Sequence, residues 1–401
     1  MGTSIRALVN PVLLEWARRE SGYTVEPIAK RVNVKPAKVL AWERGEAQPT
    51  IRQARGLAAL YRRPLGVFFL PQPPSLPPLA TEYRHLPGVV PGVESPEFRL
   101  AVRILLQRRE EALELSDELA APFAQFAVAS HQSEGPATVG AKLRAALGLS
   151  TAEQGQWSTE WEGWRRWREA VEGAGVLVFQ FPKVALGQVR GVSLFKSPLP
   201  VIGINSKESS PAARAFTLIH ELVHISLALG KEERAALGED RDDPSWDKVE
   251  RFAEAASSAA LIPEEVLQAR LGEIGGDLEH WDIARMRTLA GRFRVTPLAM
   301  ATRLWSAGIL SWPVYMAWKD AWKSYVEQLP KRKGFATPVD KTLGRCGRPL
   351  AQLVLQALDT NRITSVQASR YLDLKFNHFE ELRGRLYKGL IQPSHGYDDG
   401  D

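Results

Sequence analysis

Apolar residues recur at helical spacing along most of the chain, and strand-like runs replace that pattern in one stretch only. Residues 12–20, 25–32, 36–43 and 51–61 read as four short helices. Gly22-Tyr23-Thr24 separates the first two, with Thr24 as a cap, and Asn33-Val34 is a tight turn. Pro36 suits the first turn of the third helix, and residues 44–50 form a loop. An apolar cluster at 64–70 closes this region, and the Pro-rich run 71–78 reads as a spacer. A loop, Tyr83-Arg84-His85-Leu86-Pro87-Gly88, precedes a long helical stretch from Ser95 to about Phe126 with a solvated charged face at Arg108, Arg109, Glu110 and Glu111. Two more helices follow at 137–150 and 157–173. The second carries Trp157, Trp161, Trp164 and Trp167, a stripe expected in a core.

The pattern then changes. Residues 175–181, 189–195 and 200–205 read as three strands, which predicts a small sheet packed on the helix after them. That helix, A-F-T-L-I-H-E-L-V-H-I-S-L-A over 215–228, is apolar on most sides. Downstream, 289–304 is helical around a turn at 294–297, and Trp305, Trp312, Trp318 and Trp322 lie in an aromatic and basic stretch. Lys331-Arg332-Lys333 reads as a solvated turn, 363–386 has a helix-turn-helix rhythm, and the tail 395–401 is expected to lack order. The expected fold class is therefore α+β, mostly α. Its parts are a helical N-terminal domain (1–70), a linker and long helix (71–135), a central domain with a small sheet (136–300) and a helical C-terminal region (301–401).

Composition bounds the setting. No uninterrupted apolar run reaches the ~18 residues of a membrane helix, and the N-terminus lacks a secretory core. The single cysteine, Cys346, excludes an internal disulfide. Together these favour the cytoplasm, with no membrane partner. The net charge of +6 is concentrated, because residues 1–70 hold 12 Lys and Arg against 5 Glu. A basic small helical domain is the electrostatic footprint of DNA binding. Ile28-Ala29, the Val34 turn, Trp42-Glu43-Arg44-Gly45-Glu46 and Pro49-Thr50 give this domain its character, and it resembles the Cro/C1-type (Xre) helix-turn-helix. In its recognition segment, K-P-A-K-V-L-A-W-E, Lys35 and Lys38 are the side chains that reach a groove. The Arg, Asn and Gln that usually read bases are missing, so docking on a protein stays open beside DNA binding.

The chemistry lies at His220-Glu221-Leu222-Val223-His224, an H-E-x-x-H motif. Residues four apart share a helix face, so His220 and His224 can hold one metal ion, and Glu221 beside them can take a proton from water. Catalytic zinc takes three protein ligands and keeps a fourth position for water. The third comes from elsewhere. The acidic run 239–243 and His280 are candidates, but the helix V-E-R-F-A-E-A-A offers better ones in Glu250 and Glu254, with small residues that allow close approach to the motif helix. No residue presents itself as the oxyanion donor; His280 is the weak candidate.

The order of helix-turn-helix, linker helix, R-G-x-S strand, P-V-I-x-I-N strand, A-F-T-L-I-H-E-L-V-H and V-E-R-F-A-x-A-A resembles the ImmA/IrrE metallopeptidases fused to an N-terminal Xre domain. The resemblance spans roughly residues 10–300. It implies Zn²⁺ as cofactor, His220 and His224 as ligands, Glu221 as catalytic base and Glu250 as third ligand. It also implies a protein substrate, an Xre-type repressor whose cleavage derepresses phage, mobile-element or stress genes. One departure stands out: the family often has Asn four residues after that glutamate, where this chain has Glu254, which can compete as ligand or stand behind the ligands. A second functional class remains, a non-catalytic DNA-binding regulator or antitoxin-like protein whose metal domain senses or scaffolds. The cleaved bond, the activating signal and the oligomeric state have no sequence signal.

Overall fold

The computed structural model describes residues 5–74, 94–231, 244–274, 281–328 and 336–387, without the side chains of 244–247. The loop at 83–88, the acidic run 239–243, His280, the basic turn 331–333, the tail 395–401 and half of the Pro-rich run lie outside the described residues. The chain divides into two compact units. One comprises residues up to Ile104 with Lys183–Gln188, the other Leu105–Pro182 and everything from Val189 on.

The first unit contains α1 (Pro11–Glu20), α2 (Val25–Arg31), α3 (Pro36–Glu43) and α4 (Ile51–Tyr61), within a residue of the expected bounds. Side chains that satisfy the first free N–H groups set the starts of two of them: Asn10 accepts from Val12, and Thr50 forms a reciprocal box with Gln53. Leu13, Leu14, Ile28, Trp42, Leu57, Tyr61 and Phe68 form the core of this unit. Asn33, at φ 56°, makes the turn between α2 and α3. Arg18 grips Glu43 with two parallel bonds of 2.8 and 2.9 Å, tying α1 to α3. Lys35, Ala37, Lys38, Leu40 and Arg44 remain exposed on and beside α3.

The long helix α5 (Pro96–Glu118) stops eight residues short of the expected Phe126. Ala120 turns left-handed at φ 48°, and the Ala121 N–H closes back on the Ser116 carbonyl 2.9 Å away. Pro122 follows and cannot continue the helix. The expected helix at 137–150 is α6 (Pro136–Ala146), with a separate α7 (Thr151–Gln156) started by a Ser150–Glu153 capping box. In α8 (Glu160–Gly173) the tryptophan stripe holds only in part. Trp157, Trp164 and Trp167 are buried, but Trp161 is 52% exposed because it falls in the first turn, where its ring lies under Arg214.

The three strands form where expected: β1 (Leu177–Phe181), β2 (Gly191–Leu194) and β3 (Val201–Asn205). Their order is β1-β3-β2, with β1 parallel and β2 antiparallel to β3. Every strand residue is buried, so the runs are mostly apolar without alternation, with Gln180, Ser193 and Asn205 as the polar exceptions. On the sheet lies α9 (Pro211–Leu229), capped by Ser210 and started by Pro211, with fourteen residues buried. It is long and apolar enough by composition to cross a membrane, yet here it is a core helix. The chain continues through α10 (Pro244–Leu261), α11 (Glu264–Ile274), α12 (Ile283–Phe293), α13 (Pro297–Ser306) and α14 (Trp312–Gln328). Three last helices, α15 (Pro338–Asp359), α16 (Ser365–Leu372) and α17 (Phe379–Tyr387), include the helix-turn-helix rhythm of 363–386. Glu380 and Glu381 open α17, and Arg383 is tied to Asp359.

α15 covers the outer edge of β1. Its backbone breaks at Gly347, where a side chain would meet the Val178 carbonyl at 3.0 Å and Glu172 at 2.9 Å. Arg168 donates to that same carbonyl, to the Gly344 carbonyl and to Glu172. Burial pushes the Glu172 carboxyl upward, and Arg168 opposes it.

α10 comes closest to α6 rather than to the motif helix. At Gly140 a side chain would stand 2.6 Å from the Ala256 carbonyl and 2.7 Å from the Ala260 nitrogen. Gly155, also helical, faces open space. The same substitution therefore has opposite signs at the two sites. Gly140→Ala is expected to destabilise by ~1–3 kcal/mol through overpacking, and Gly155→Ala to stabilise by ~0.5–1 kcal/mol through backbone entropy, read by denaturant melts.

Candidate metal centre

Helix α9 presents two adjoining faces. Phe216, His220 and His224, four residues apart, make one, and Thr217 and Glu221 make the other. The first meets α10 at Glu250. The His220 and His224 Nε2 atoms are 3.0 Å apart, and the Glu250 carboxylate oxygens lie 3.3 Å from the first and 3.4 Å from the second. The two contacts take different oxygens of Glu250, Oε2 toward His220 and Oε1 toward His224, so one carboxylate faces both imidazoles. One donor atom from each residue falls within a group no wider than 4.8 Å. The side chains are 16%, 3% and 16% exposed respectively, so the group is largely buried.

Two imidazoles and a carboxylate converging in a largely buried place suit a cation, because a buried charge needs a partner. Burial lowers the proton affinity of His220. The hydrogen bond and charge of Glu250, with Glu221 and Glu254 behind it, outweigh that and hold the imidazole above its ordinary value. His220 Nδ1 is buried without a hydrogen-bond partner among the described residues. Phe216 steadies the ring instead, stacked at 6.4 Å and 26°. Sequence reading gave Phe216 no role beyond helix packing, although its place four residues before His220 was visible.

Glu254 is half-buried on α10, one turn beyond Glu250, and does not join the converging group. Its charge reaches His220 and also Tyr315, a buried phenol on α14 bonded to Thr302. The second face of α9 turns to the sheet. Glu221 is 3% exposed, and its carboxylate lies against Gly191 at the start of β2. Lys35 and Lys38 lie in the other unit, exposed at the start of α3.

The loop before α9 fixes this arrangement. Asn205, wholly buried, donates from Nδ2 to the Val189 carbonyl at 2.8 Å and from its main chain to the Arg190 carbonyl at 2.8 Å. Glu208 takes Arg190 at 2.6 Å and the Ser210 N–H at 3.2 Å, and Arg214 returns from α9 to the Glu208 carbonyl at 2.6 Å. Sequence reading took Asn205 only as the end of the P-V-I-x-I-N strand and gave no role to Glu208 or Arg214, whose partners are set by the tertiary fold.

Residues 171–304 match the family Peptidase_M78, the IrrE N-terminal-like domain, and residues 14–68 match HTH_3, a helix-turn-helix. The chain joins an Xre-type helix-turn-helix domain to an IrrE-like peptidase domain. The helix-turn-helix match runs from within α1 through α4, and the peptidase match takes in the sheet, α9 to α12 and most of α13. No curated protein and no solved structure matches the chain. An IrrE-like peptidase domain with this His/Glu cluster makes a metal the natural occupant of the centre.

The geometry separates Glu250 from Glu254. Glu250→Gln is expected to weaken zinc binding by more than ~100-fold, beyond the ~10–100-fold of a supporting residue. Glu254→Gln is expected to stay within ~10-fold, as chelator competition measures.

Proposed function

We propose that this chain is a zinc-dependent endopeptidase that cleaves an Xre-type transcriptional repressor. The supporting observation is the convergence of His220, His224 and Glu250 beside a buried Glu221, within residues matched to an IrrE-like peptidase domain. In this reading His220, His224 and Glu250 hold Zn²⁺, and Glu254 tunes the centre from behind. A bound zinc supplies Lewis acidity, which polarises a carbonyl and makes water nucleophilic near neutral pH. Glu221 takes the proton from the attacking water and delivers it to the departing amide nitrogen.

The β2 edge supports a place for the substrate. In an antiparallel pair, hydrogen-bonded and non-bonded positions alternate. Asn205 bonds to Arg190 across β3 and β2, so Gly191 and Ser193 fall at non-bonded positions and turn their main-chain groups away from β3. An extended peptide added there would run past Glu221.

The N-terminal domain is the proposed DNA-binding part, with Lys35 and Lys38 on phosphates. Exposed Ala37 between them and Leu40 just beyond favour a second use, docking on a protein. The non-catalytic alternative, a regulator or antitoxin-like protein with a metal domain, shares every metal and DNA property and differs in cleavage alone. The proposed setting is the cytoplasm, consistent with a single free, buried Cys346.

Incubation with zinc and the Xre-type repressor from a neighbouring gene should give two fragments on a gel. Glu221→Gln should slow this by ~10²–10⁴-fold while zinc stays bound. Cleavage unchanged in Glu221→Gln would sink the peptidase reading. In a separate measurement, Lys35→Ala and Lys38→Ala should each lower the salt slope of binding to random duplex DNA by about one.

A further inference from the structure

We infer that Gly191 is a positioning residue for Glu221, an assignment that rests on the general-base role proposed above. A side-chain carbon built on Gly191 would lie 2.9 Å from Glu221 Oε1, 3.0 Å from its Cγ and 2.4 Å from the Thr217 methyl. Real carbons essentially never come closer than about 3 Å to such atoms, so the bare backbone of β2 is the wall against which the carboxylate rests. The wall has no room to retreat. Behind it β3 is pressed on its other face, where a carbon on Gly203 would stand 2.5 Å from Leu105. Ahead of β2, Asn205 holds the Val189 and Arg190 carbonyls, and Glu208 holds the Arg190 side chain. A side chain at 191 would therefore move Glu221, and the adjacent His220 and His224 turn toward α10 on the other face.

The consequence is selective. Two faces of one helix do two jobs, and residue 191 touches only the second. A carboxylate displaced by ~1 Å costs on the order of 100-fold in a proton transfer that depends on alignment. Metal binding through the first face is left in place.

Gly191→Ala alone collides with Thr217, so the test uses Gly191→Ala in a Thr217→Ser background, with Thr217→Ser and Glu221→Gln as references. Zinc content and thermal midpoint report the fold. Acetohydroxamate, a small zinc chelator that passes its acidic proton to a neighbouring carboxylate, reports the position of Glu221 by calorimetry, independently of any substrate. The double variant is expected to keep zinc and the midpoint of Thr217→Ser, to bind acetohydroxamate at least ~10-fold more weakly, and to lose kcat on the repressor with KM unchanged. Full acetohydroxamate affinity and kcat in the double variant, with both lost in Glu221→Gln, would overturn this inference and leave the base reading standing. Retention of both in Glu221→Gln would overturn the base reading and this inference with it. Loss of zinc or fold in the double variant would make Gly191 a structural residue and overturn the inference as well.

Discussion

Everything in the second unit answers to one constraint: four ionisable side chains sit where water is scarce. His224 and Glu221 are almost wholly buried, and His220 and Glu250 are mostly so. An unpaired charge in such a place costs several kcal/mol, so the fold must bring opposite partners within about 3 Å of each other or not form. Helix α9 makes this workable by being mostly apolar. Ten buried apolar positions anchor it, and the polar ones are left to be placed by neighbours.

Those neighbours act at the level of single atoms. Gly140 lets α6 settle into α10, the helix that carries Glu250. Gly191 does the corresponding job for Glu221 on the sheet side. Asn205, Glu208 and Arg214 lock the loop that joins sheet to helix. The centre is thus specified by what is missing at two glycines as much as by what is present at the ionisable residues.

Much of this was legible in the sequence, and the reasons differ by element. The short N-terminal helices were readable to within a residue because caps and turn residues such as Asn10, Thr50 and Asn33 act locally. The three strands were readable because buried runs of β-branched and aromatic residues have few other uses. The end of α5 was not, since a left-handed alanine carries no compositional mark and only Pro122 hinted at it. Trp161 was misjudged for a related reason: spacing shows which residues share a face, but not where along the helix its neighbours end. At the centre, spacing alone left Glu250 and Glu254 equivalent. Their difference is one helical turn, and it appears only when α9 and α10 cross.

The cover that α15 lays over β1 has a consequence for self-association. A strand edge with free N–H and C=O groups is a template for pairing with other chains. With the outward Val178 carbonyl taken by Arg168 and approached by the break at Gly347, the β1 edge is closed to such pairing. A fragment ending at residue 304, where the peptidase match stops, would lack α15 and expose the β1 edge. The C-terminal helices thereby keep the β1 edge from pairing with other chains.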